Sequence, residues 1–100
     1  SMVESLEVTV PCAEVHLDEH TPDCLRVAIG DLEGALYKAG LRAGDLIVAV
    51  DGKDISDFGN PYEALLGSGV VELSVVREGQ SVRVTFERIA NSGSWWIEMG

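Results

Sequence analysis

The sequence is short of positive charge: 7 Lys and Arg stand against 17 Asp and Glu, for a formal charge of −10 over 100 residues. A surface that acidic repels phosphate backbones and anionic headgroups, so nucleic acid and membrane surfaces are excluded as partners and basic groups are favoured. Long apolar runs are missing too. Nothing approaches the roughly 20 apolar residues that span a bilayer, so no membrane insertion is expected. No basic stretch leads into an apolar one in the manner of a secretory leader. Cysteine is scarce: Cys12 and Cys24 are too few for a disulfide framework. Without a recognisable leader both are expected to be reduced, which implies a cytoplasmic setting. Low-complexity linkers and internal repeats are absent, and 46% hydrophobic residues in a chain this short suffice for one modest core. Ser1-Met2 resembles a remnant of processing, so the chain is expected to be a piece of a longer protein.

What is present is patterning. Leu6, Val8 and Val10 alternate with Glu7 and Thr9, a strand that Pro11 ends. Val15 and Leu17 alternate with Glu14, His16 and Asp18, predicting a second strand over about Glu14 to Glu19. Thr21-Pro22-Asp23 then turns the chain into a third strand carrying Leu25, Val27 and Ile29. Ala35 to Ala39 is a short run of good helix formers stopped by Gly40. Leu46-Ile47-Val48-Ala49-Val50 is continuously apolar, as a strand covered on both faces requires, and Asp51-Gly52 turns the chain after it. Pro61 to Leu66 predicts a second helix, with Asn60 as its cap and Gly67 as its stop. Val71, Leu73 and Val75, then Val82, Val84 and Phe86, alternate about Arg77-Glu78-Gly79-Gln80 and predict a closing hairpin. Strands and helices mixed without a regular βαβ repeat argue for the α+β class, a partly open barrel or sandwich of five to six strands with two helices.

Gly40-Leu41-Arg42-Ala43-Gly44-Asp45 followed by the apolar strand and Asp51-Gly52 resembles the signature of PDZ domains, in which a Gly-Leu-x-x-Gly-Asp turn feeds a buried strand. The resemblance covers residues 4–88, with 89–100 as a C-terminal extension. Glycines at 40 and 44 permit backbone angles closed to other residues, and the Asp45 carboxylate can accept local N–H bonds. The resemblance implies no catalytic residue, no cofactor and no metal. It implies a groove in which a peptide, typically a C-terminal tail, adds as a strand between the second strand and the second helix. It also implies a glycine-rich loop before that strand, whose N–H groups hold a terminal carboxylate. This chain departs from the family there: with Val15 in the place of the family's phenylalanine, the loop is Cys12-Ala13-Glu14-Val15, without glycine and with a negative charge at Glu14. His16 and Leu17 continue into the binding strand. On the helix side the groove-facing positions are Gly59, Glu63 and Leu66. A histidine at the first of them, which many members use to read a Ser or Thr, is absent. Glu63, Asp18 and Glu19 then favour basic ligand positions, or are solvated surface charges. Related modules attached to proteases also diverge at the loop, so a regulatory domain of a larger protease is the alternative.

Three other patterns compete for attention. His16-Leu17-Asp18-Glu19-His20 matches H-x-x-E-H, but that zinc motif needs a long helix, and here Pro11 and Pro22 bracket a strand-like stretch. Cys12, His16, His20 and Cys24 recur every four residues, yet the turn at Thr21-Pro22-Asp23 breaks the regularity, and no metal is expected. Trp95-Trp96 in the extension either folds back over apolar surface or enters another molecule's groove, which would link copies head to tail.

Overall fold

The computed structural model describes residues 5–9, 12, 23–29 and 35–88. Its strands are β1 (Ser5–Thr9), β2 (Cys24–Ile29), β3 (Leu46–Val50), the two-residue β4 (Lys53–Asp54), β5 (Val70–Arg77) and β6 (Gln80–Glu87). They form one antiparallel sheet in the order β1-β2-β3-β5-β6, with β4 paired to β3 off that path. Among the described residues the sheet is open, not a closed barrel. The one α-helix among them is α1 (Ala35–Ala39), and no described helix is long and apolar enough to cross a membrane.

The core follows from the alternation. Val71, Leu73 and Val75 of β5 are buried and stand opposite Phe86, Val84 and Val82 of β6, stacking apolar pairs on one face. Leu25 and Val27 of β2 join them, as do Ile47 and Val50 of β3. Ile47 and Val50 are three apart and share a face because the pairing with β5 slips between Ile47 and Ala49, the geometry of a bulge. Leu46 and Val48 face the other way and form a second cluster with Cys12 and Cys24. That two-faced burial is why this segment is apolar throughout.

Helix α1 ends as its sequence demands. Gly40, at φ 110°, donates to the Tyr37 carbonyl, and Leu41 donates to the Leu36 carbonyl, closing the helix end while both leucines bury in the core.

Three expectations are corrected. The second helix is not α-helical: Pro61–Leu65 is a 3-10 helix, with Glu63 donating to the Asn60 carbonyl and Leu66 to that of Glu63. Both bonds span i to i−3, the tighter 3-10 turn that short helical segments commonly adopt. The strand paired with Cys24–Ile29 is Ser5–Thr9, with Thr9 opposite Cys24 and Leu6 opposite Val27, rather than the Glu14-to-Glu19 stretch, which lies outside the described residues. Both segments alternate with period 2, so periodicity alone does not choose between them. Finally, Cys12 and Cys24 are not reduced thiols; they form a disulfide with their Cα atoms 5.4 Å apart. The β1–β2 pairing brings the two chain ends within the reach a disulfide requires.

Candidate functional site

The site is framed by the turn that precedes β3. Asp45 is 1% exposed and serves as the hub of that turn. Its Oδ2 accepts from the Arg42 backbone N–H at 2.8 Å and from Arg77 Nη2 at 2.7 Å, and its Oδ1 accepts from Arg77 Nε at 2.8 Å. Arg77 Nη2 also donates to the Gly40 carbonyl. A guanidinium fork thus joins the end of β5 to both halves of the turn. The hydrogen bond to Asp45 raises the Arg77 pKa, burial opposes this, and the charges of Asp45 and Glu78 add to it, so the residue stays cationic. The Asp45 role as acceptor for a local N–H is as expected from sequence. Arg77 was not foreseeable from the turn, since it lies 32 residues away.

This clasp fixes β2 as well as β3. Gly44 donates to the Val27 carbonyl at 2.7 Å, and Val27 donates to the Asp45 carbonyl at 2.9 Å. β2 in turn carries β1 on its far side and packs against the 3-10 helix Pro61–Leu65. Ala64 and Leu65 anchor that helix in the core. Gly59, Glu63 and Leu66 are exposed, Leu66 at 42%.

The other expected site residues fall differently. Cys12 is fully buried, its sulfur bonded to Cys24 in the cluster with Leu46 and Val48. Ala13, Glu14, Val15, His16 and Leu17 lie outside the described residues, as do His20, Asp18, Glu19 and the 89–100 extension with Trp95-Trp96. Both cysteines are consumed by the disulfide, and among the described residues no cluster of His, Cys, Asp and Glu could hold a metal ion.

Around the helix wall, Asp23 N–H donates to Ser56 Oγ at 3.0 Å, tying the start of β2 to the 3-10 turn Ile55–Asp57. Lys53 sits over the half-buried Phe58 ring at 4.4 Å. Glu63 is left as an exposed carboxylate on the wall. The 3-10 helix Pro61–Leu65 thus packs against β2, the strand that carries β1 on its other edge, and leaves Glu63 and the following Leu66 exposed.

Compared with known families, residues 27–88 match the profile described as PDZ domain. Among curated proteins none matches the chain.

Proposed function

The chain belongs to the PDZ domain family, whose members are in general protein–protein interaction modules that bind peptides and are typically not enzymes, and on that premise we propose that it binds an extended peptide by strand addition along β1. The observation that carries this reading is the place of β1. It is the outermost strand of the sheet order on the β2 side, and among the described residues its outer edge pairs with no other strand. An unpaired edge offers a row of N–H and C=O groups to an incoming chain. The exposed face of Pro61–Leu65 and its flanks, with Gly59, Glu63 and Leu66, supplies side-chain selection. Leu66 favours an apolar ligand residue, and Glu63, within a chain of charge −10, favours a basic one. The functional domain is taken as residues 4–88. The Cys12–Cys24 disulfide fits an oxidising compartment rather than the cytoplasmic setting read from composition.

Main-chain bonds and one apolar contact leave about −8 kcal/mol after ordering costs, which is micromolar affinity. The test is amide hydrogen exchange with and without a pool of capped heptapeptides. Alternate amides of Ser5–Thr9 gain protection if the peptide adds to this edge. Protection confined to β6, or none, refutes the reading.

A further inference from the structure

Leu66 and Val70, 42% and 62% exposed, are the exposed large hydrophobic residues among those described. They stand at the two ends of one short loop, Gly67-Ser68-Gly69, where the 3-10 helix gives way to β5. Val70 lies on the face of β5 turned from the core, since Val71, Leu73 and Val75 take the inner face. A pair of bare apolar side chains so placed favours a contact that removes them from water. The described chain ends at the same loop. Arg88 donates its backbone N–H to the Gly69 carbonyl and its Nη2 to the Ser68 carbonyl. Gly67 and Gly69 let the loop lie close to the guanidinium, for a Cβ at Gly67 would stand 3.7 Å from its Cζ. Val70 is paired with Glu87, so the extension 89–100 starts beside the bare side chains.

The composition of that extension suits the patch. Trp95, Trp96, Ile97 and Met99 are apolar, and each aromatic side chain has roughly 150–250 Å² to bury. Asn91-Ser92-Gly93-Ser94, ahead of them, is rich in residues that favour a turn. Trp95 follows Arg88 by seven residues, and at about 3.3 Å per extended residue the span available is about 23 Å. Reach is therefore ample for a return to the neighbouring loop. A segment tethered this close is present at a high effective concentration. A second copy of the chain, by contrast, brings a further charge of −10 and is repelled. Proximity and charge both favour the chain's own extension as the cover.

We propose that residues 89–100 dock back on the domain, with Trp95-Trp96 covering Leu66 and Val70. Arg88 is the anchor that fastens the root of the extension to the Gly67-Ser68-Gly69 loop. The docking stands without the peptide-binding reading. One corollary rests on that reading: Leu66 is also the apolar residue offered to a peptide, so a peptide that reaches it displaces the indoles.

Trp95 and Trp96 are the chain's only tryptophans, so the fluorescence of the full chain reports on the extension alone. Acrylamide quenching and emission are measured for the native protein and for Leu66→Ser and Val70→Thr, the latter keeping a β-branched shape suited to a strand. The native indoles are expected to be protected and blue-shifted, and each variant to raise the quenching constant several-fold while circular dichroism stays native. Nuclear Overhauser contacts from the indole protons to the Leu66 and Val70 methyls are expected in the native protein, a readout that needs no variant. Indoles as accessible as in denatured protein overturn the proposal. Protection that survives both substitutions, or absent methyl contacts, overturns it too, because the indoles are then buried elsewhere. Protection lost on dilution together with a falling mass assigns the cover to another copy and overturns docking within one chain. Adding the capped heptapeptide pool is expected to expose the indoles. A peptide that protects Ser5–Thr9 amides yet leaves the indoles covered overturns the corollary, and failure of any peptide to bind overturns the peptide-binding reading with the docking readouts unchanged.

Discussion

Reducing the disulfide isolates a single physical term. Cys12 and Cys24 are separated by 12 in sequence, so their bond closes a short loop. The chain-entropy relation gives about 3 kcal/mol of stabilisation for a loop of that length, through restriction of the unfolded chain. Reduction leaves both sulfurs in place among Leu46 and Val48, so the packing of that cluster persists and only the covalent constraint is lost. Replacing both cysteines with alanine removes packed volume as well and is expected to cost more. For a domain of 100 residues, at roughly 5 °C per kcal/mol, reduction should lower the melting temperature by about 15 °C. That is a large share of the 5–15 kcal/mol or so that holds a domain together. The assay is thermal unfolding followed by circular dichroism, with and without reductant, on protein whose thiol content has been titrated. A change below about 3 °C, or full alkylation of native protein without reductant, refutes the reasoning.

Two further substitutions probe the frame of the site. Asp45→Ala strands the Arg77 fork and the Arg42 N–H; because the Arg77 side chain is 35% exposed, the expected loss is discounted to about 2 kcal/mol, read from denaturant unfolding. The raised pKa of Arg77 means its stabilising contribution is present below its ordinary value and lost only as pH rises beyond it, so stability should not change between pH 6 and 9 on its account. Phe86→Ala empties a core position that is 1% exposed and paired with Val71, for about 3–5 kcal/mol by the same measurement.

Much of this frame was legible in the residues, and the reasons it stopped being legible are physical. Val71, Leu73, Val75, Val82, Val84 and Phe86 announced their hairpin because period 2 and a tight turn fix both partners locally. Leu46 to Val50 announced a two-faced strand by having no polar side. Gly40 marked a helix end that only a residue without Cβ occupies comfortably at φ 110°. The partner of Cys24–Ile29 was illegible because two upstream segments alternate alike, and the choice between them is made by long-range closure. The disulfide was illegible for the same reason: its cysteines become neighbours only once β1 lies on β2. Arg77 and Arg88 act across 32 and 20 residues on a buried carboxylate and a loop carbonyl, distances at which spacing carries no signal. The second helix failed in type rather than in place, since propensity does not distinguish one α turn from a 3-10 turn of five residues.

That 3-10 helix has a consequence for how much the domain can know about its partner. At about 2 Å of rise per residue, its five residues make a wall about 10 Å long. An extended ligand advances about 3.3 Å per residue, so the wall spans about three ligand residues, and alternate side chains turn the opposite way. On the proposed binding mode, only about two ligand side chains would be inspected at a time. A reader with so short a window would pass a large family of sequences, so on that mode fidelity would come from who is held nearby rather than from what the groove spells out.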